Sequence, residues 1–287
     1  MLNNIFEDCD NQASILKRII DIENEYAPEE MGALMEACLD YPKIAQQHIK
    51  KNINWMMKGH QTIRPYKRIK ISENINYFRA PLGGVKSLLL CFCGNADRLM
   101  MPTSTLLQHI PEDAFDILML CDPSRKRYLA GVPGYADQIG AVLSGLQQDI
   151  SFSQYRDIRC LGTSAGGAIA LYSAIFLGAK RALSVGGVHP SISEELEQFK
   201  AEGVTGSEFD DLIKLQLDTS SQVELLAFFG DQIERDFEGG SSLKRYLPQC
   251  RLGKVHNIET HNVFFRLFER GQFTQFLQRY LFADSIA

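Results

Sequence analysis

The stretch IRCLGTSAGGAIALYSA, residues 158–174, holds a serine between glycines, Gly162-x-Ser164-x-Gly166. It reads as a short strand, a tight turn and a buried helix. A serine in such a strand-to-helix turn is forced into a strained backbone conformation that lifts its hydroxyl above the sheet. The turn is so tight that the residues two before and two after must be very small. Gly162 and Gly166 meet that demand, and Gly167 and Ala168 let the helix approach the sheet. The helix N-terminus adds a positive field where an oxyanion would form. Ser164 is therefore a candidate nucleophile rather than only a turn residue.

The elements that must position it follow a regular pattern. YKRIKIS and NINYFRA predict an antiparallel pair with a polar turn near Glu73. SLLLCFC is a continuous apolar strand of the kind buried on both faces. DILMLCD, DIRCLGT, RALSVGG and VELLAFFG repeat that type, and KVHNI is a weaker last member. Helix-like segments lie between them at about 99–110, 134–149, 165–178, 239–247 and 263–282. This alternation predicts an α/β fold with a doubly wound, mostly parallel sheet. Its functional loops should lie at the carboxyl ends of the strands. Residues 1–62 carry no strand signal and read as a small helical N-terminal region, with Pro28 and Pro42 each in a first helical turn. The remaining residues, 63–287, form the α/β domain. The polar segment 189–222 reads as a small lid insertion or a surface excursion.

From about residue 66 to 282 the chain resembles an α/β-hydrolase domain, with GTSAGG as the nucleophile elbow. That resemblance implies a serine, an acid and a histidine in chain order. Ser164 would be the nucleophile. His261, in the loop after the last strand and ahead of a helix, would be the general base, while His256 belongs to the strand. The acid should follow VELLAFFG, where Asp231 and Asp236 compete; Asp236, six past Gly230, has the spacing of such relatives. The oxyanion hole would use the N–H of Ala165 and, from the loop after SLLLCFC, that of Asn95. The His-Gly usual before that loop is Cys93-Gly94 here. Patatin-like lipases also carry such an elbow, but their glycine-rich run and Asp-Gly-Gly or Asp-Gly-Ala motif are missing, as is a P-loop.

Two basic stretches stand out. Tyr41 to Ser72 holds eight Lys or Arg and no acidic residue, and reads as a solvated linker and hairpin face. SRKRY follows the strand DILMLCD, where Arg125, Lys126 and Arg127, with Arg98 nearby, could hold an anionic group of a substrate.

Composition bounds the rest. The chain has 287 residues, 45% of them hydrophobic, as in a soluble globular protein, and a net charge of −5 that gives no reason to expect nucleic-acid binding. The polar, acidic opening MLNNIFEDCDNQ lacks the pattern of a secretory signal. AIALYSAIFLGA is too short to span a membrane. The seven cysteines are scattered without a CxxC pair, which suits a reducing cytoplasm and argues against a metal role. The expectation is a cytoplasmic serine hydrolase of small esters or thioesters, working through an acyl-enzyme without metal or cofactor. An acyltransferase to a sugar or alcohol, and a non-catalytic binding protein of the same fold, are the alternatives.

Overall fold

The apolar run SLLLCF forms β3 (Ser87–Phe92), buried along its whole length. Side chains alternate between faces. Leu88, Leu90 and Phe92 enter one core layer, while Leu89 and Cys91 enter another. A strand apolar on both faces must be covered on both, and in this computed structural model helices do so. The structure describes residues 5–81, 83–192, 196–202 and 223–284.

β3 lies inside an eight-stranded sheet. Its parallel members are β4 (Phe115–Leu120), β5 (Ile158–Thr163), β6 (Arg181–Val185), β7 (Glu224–Gly230) and β8 (Arg251–Val255). The hairpin β1 (Lys67–Ser72) and β2 (Ile75–Arg79) joins antiparallel beside β4. The strand order is β1-β2-β4-β3-β5-β6-β7-β8. One face is covered by α5 (Ile139–Ile150), α6 (Ala165–Leu177) and Leu243 of α8 (Glu234–Tyr246). The other is covered by α4 (Thr103–Gln108), α9 (Val263–Glu269) and α10 (Phe273–Leu277) with its π-helical extension Gln278–Phe282.

Before the sheet come α1 (Gln12–Glu25), α2 (Pro28–Ala37) and α3 (Lys43–Met56), which share a separate apolar cluster of Ile19, Ile22, Met31, Leu34, Ala45, Ile49 and Met56. Pro28 opens α2, whereas Pro42 precedes α3 as its cap. Much of the basic stretch 41–72 is thus helix rather than linker: Ala45, Ile49, Asn52 and Met56 bury one face and the charges take the other. Ile20 and Leu39 of this region are exposed at 50% and 77%.

Several helix limits differ from expectation for local reasons. α4 starts only after Pro102, because Met100 has φ 59°. Gly131 and Gly134, both at positive φ, turn the chain before α5. Gly271 at φ 70° divides the last helical segment into α9 and α10. β8 ends at Val255, three residues earlier than KVHNI suggested. Most of the segment 189–222 lies outside the described residues; what is described includes the short α7 (Leu196–Ala201) and Glu202, which pairs with Lys126 at 2.9 Å. No described helix is long and apolar enough to cross a membrane.

Candidate active site

β5 ends at Thr163 and α6 begins at Ala165, so the whole strand-to-helix turn falls on Ser164, at φ 52° and ψ −118°. A residue with a side chain is held there only at a cost of about 1–3 kcal/mol. Its surroundings enforce it. The Ser164 N–H donates to Val185 O at 2.9 Å, and the Ser164 carbonyl accepts from the Gly167 N–H at 3.0 Å. A Cβ on Gly162 would stand 2.0 Å from Gly166 O, and one on Gly166 2.2 Å from Phe92 O. The glycines flanking the serine are therefore imposed by backbone-to-backbone approach.

His261 lies in the loop before α9, and Asp236 in the first turn of α8. The structure brings them together: His261 Nδ1 and Asp236 Oδ1 are 2.8 Å apart. The carboxylate is 4% exposed and the imidazole 45%. Since an ionised carboxylate only accepts, Nδ1 is the donor, which leaves Nε2 as an acceptor facing away from Asp236. The other Asp236 oxygen, Oδ2, is buried without a partner among the described residues.

Asp231 goes elsewhere. Its Oδ2 meets Nδ1 of His256 at 3.0 Å and its Oδ1 accepts from the Ile258 N–H at 3.3 Å. Against a desolvation cost that would raise it, these bonds hold the Asp231 carboxyl below the usual carboxylate range. His256 sits just past β8 with 79% of its side chain exposed, so it belongs to solvent rather than to core or strand.

Ser164, His261 and Asp236 line one cavity of about 410 Å³, with Asn95, Arg127, Arg235 and Glu238 as its further polar members. Val188, Ile192 and Ile233 supply an apolar share. Gly94 abuts the serine, since a Cβ there would lie 3.1 Å from Ser164 Cβ. The loop after β3 closes on itself: the Gly94 N–H donates to Arg98 O at 3.2 Å and the Asp97 N–H to Gly94 O at 2.9 Å. The backbone N–H groups of Asn95 and Ala165 meet no hydrogen-bond acceptor among the described residues.

The basic cluster does not converge as expected. Arg127 is 7% exposed and lines the cavity, but Arg125 faces solvent. Lys126 pairs with Glu202, and Arg98 pairs with Glu23 at 2.7 Å. Arg125, Arg127 and Tyr128 all have φ between 56° and 63°. The buried Tyr128 hydroxyl donates to Leu120 O at 2.7 Å, with Cys93 O 3.0 Å away, and its N–H donates to Asp122 Oδ2 at 2.8 Å. Burial raises the Tyr128 pKa well above its usual value, so the hydroxyl stays a donor. Sequence reading missed Arg235 and Glu238, although both flank Asp236 on one helical turn. Among the described residues, no three His, Cys, Asp or Glu side chains gather where they could hold a metal ion.

The sheet, the elbow and the helices on both faces are those of an α/β-hydrolase fold, which this chain has. Its fold is similar to that of Pyrococcus horikoshii acylaminoacyl peptidase, with a TM-score of 0.51 at 13% identity over 80% of this chain and 43% of that longer one. It is similar to a capsule O-acetyltransferase of Neisseria meningitidis serogroup A, with a TM-score of 0.50 at 13% identity over 76% and 96% of the two chains. A fluorophosphonate-binding serine hydrolase of Staphylococcus aureus gives 0.49 at 12% identity over 72% and 97%. No protein-family model and no curated protein sequence matches the chain.

Proposed function

We propose that the protein is a serine esterase or thioesterase acting through Ser164, His261 and Asp236. The observation that carries this reading is the 2.8 Å contact between His261 and Asp236 at the rim of the cavity that Ser164 also lines. Nε2 of His261 takes the Ser164 proton as Oγ attacks the acyl carbonyl, and Asp236 stabilises the imidazolium that results. The carbonyl electron pair moves onto oxygen, where the N–H groups of Ala165 and Asn95 receive it. Collapse expels the alcohol or thiol, which takes the proton back from His261 and leaves an acyl-serine. Water, deprotonated by His261, then releases the acid and regenerates the serine.

Acyl transfer uses the same groups and differs only in the acceptor. The polar rim formed by Asn95, Arg235 and Glu238 suits an acceptor with hydroxyls, so a sugar or alcohol competing with water is the second reading. That an acylaminoacyl peptidase and an O-acetyltransferase have similar folds is compatible with either. Arg127 is the member of the basic cluster positioned to hold an acidic group on the substrate.

The test is turnover of p-nitrophenyl acetate and an acetyl thioester by wild type and Ser164→Ala. The reading expects a loss of at least about a thousandfold in kcat with Ser164→Ala. Equal turnover by the two proteins would end it.

A further inference from the structure

The loop that carries Asn95 is not held by the sheet alone. Asp97 and Met100, on either side of Arg98, have φ of 53° and 59°, a region that side-chain-bearing residues rarely adopt. Such conformations persist where the surroundings enforce them. Here the surroundings include the last turn of α1. Asn24 Nδ2 donates to Ala96 O at 3.0 Å, and the Asn24 carbonyl accepts from Thr103 Oγ1 at 2.6 Å. Arg98 donates to Glu23 Oε2 at 2.7 Å, while Glu23 Oε1 accepts from Asn52 Nδ2 at 3.0 Å. Asn52 is buried on α3, so Glu23 bridges that helix to the loop. Fully buried Ala27 joins the apolar cluster of Leu99 and Met101.

We infer that the N-terminal helices are a positioning device for the loop after β3, with Glu23, Asn24 and Arg98 as positioning residues that fix the N–H of Asn95. The inference rests on the acyl-transfer reading above and adds a role for an appendage which that chemistry does not itself require. Ala96, the residue that Asn24 grips, is the direct neighbour of Asn95. An oxyanion donor acts only when aimed at the place where charge develops, and a displacement of about 1 Å can cost about a hundredfold in rate.

The same helices have a second anchor that does not touch the loop. Arg68 of β1 pairs with Glu25 at 2.6 Å and with Glu30 at 2.9 Å, and its guanidinium lies over the Tyr26 ring. Merely docking the helices and positioning the loop are therefore separable.

The experiment measures kcat and KM for p-nitrophenyl acetate, the second-order rate of capture by a fluorophosphonate, and Tm. It compares wild type, Asn24→Ala, Arg98→Met, their double variant, Arg98→Lys and Arg68→Met. The double variant should lose at least about tenfold in kcat and in capture rate, with KM within about twofold. Arg98→Lys should recover most of the loss of Arg98→Met. Arg68→Met should lower Tm while keeping kcat within about twofold. If the double variant does not fold, Asn24→Ala, which removes a single exposed bond, should still lose about threefold in kcat at unchanged KM. Loop variants that keep wild-type kcat and capture, or an Arg68→Met variant that loses as much kcat as they do, overturn the positioning role alone. A folded wild type that neither turns over ester nor is captured overturns the acyl-transfer reading and this role with it.

Discussion

His261 Nδ1 donates to Asp236 Oδ1 at 2.8 Å, from an imidazole that is half open to a cavity onto a carboxylate that is almost wholly buried. The burial asymmetry orients the pair. Asp236 is fixed in the first turn of α8, and the ring must present its other nitrogen away from it. A second pair, Asp231 with His256, has similar geometry but faces solvent. The two pairs should therefore respond very differently to the same substitution.

Asp236→Asn should lower kcat for an activated ester by about three to four orders of magnitude, because an amide that donates would favour the wrong histidine tautomer. Asp231→Asn should change kcat by less than about twofold and affect only local stability. Steady-state kinetics on the two purified variants checks this. Equal losses would mean that Asp231 reaches the reacting atoms by a rearrangement.

Gly186 packs against His261. It has φ 62°, and a Cβ there would stand 2.8 Å from His261 Cε1. Gly186→Ala should push the imidazole from its place and reduce kcat by at least about tenfold, with a backbone cost of about 1–2 kcal/mol. Kinetics together with thermal unfolding would separate the two effects. Full activity at a lowered Tm would show that the ring has room to move.

Arg127, not Arg125, should matter for substrate charge. Arg127→Ala is expected to raise KM for p-nitrophenyl hemisuccinate about tenfold and leave that for p-nitrophenyl acetate within about twofold, as suits the loss of a charge-assisted hydrogen bond. Arg125→Ala should alter neither. A parallel rise for both esters would assign Arg127 to holding the cavity wall.

Two buried histidines set an acid limit on stability. Burial pushes His189 down to about 4, and burial reinforced by His60 and Arg64 does the same to His109. In the unfolded chain both should titrate near about 6.5. Between those values the unfolded state binds more protons than the folded one, so stability is complete above pH 6.5 and falls as pH is lowered toward 4. Each histidine contributes roughly 1–3 kcal/mol to that loss. Unfolding followed by calorimetry from pH 7 to 4.5 should show the fall, with a shallower slope in His189→Gln. An unchanged slope in that variant would assign the window to other groups.

The sheet was legible in the sequence because its central strands are apolar on both faces, which leaves few alternatives for a run such as SLLLCF. β8 was placed three residues late, since an edge strand with Arg251 and Lys254 buries too little to announce itself. α3 was anticipated by the helical reading of residues 1–62 and by Pro42, whereas the charges of the stretch 41–72 suggested a linker; Ala45, Ile49 and Met56 bury one face of that helix and leave the charges on the other. The elbow was visible as a local pattern of glycines. The bonds from Glu23 to Arg98 and from Asn24 to Ala96 were not, because each joins positions more than 70 residues apart that share no periodicity. Spacing from Gly230 favoured Asp236 over Asp231, but the sequence did not show that Asp236 is buried against His261 while Asp231 pairs with the exposed His256.

The central claim is that Ser164 is an activated nucleophile. Wild type, Ser164→Ala and His261→Ala would be incubated with a fluorophosphonate, and the adduct located by peptide mass spectrometry. The account predicts one equivalent of adduct on Ser164 of the wild type, none on Ser164→Ala, and labelling slowed by at least about a hundredfold in His261→Ala. An adduct on another residue, equal labelling of His261→Ala, or a folded wild type that takes up no probe would contradict it.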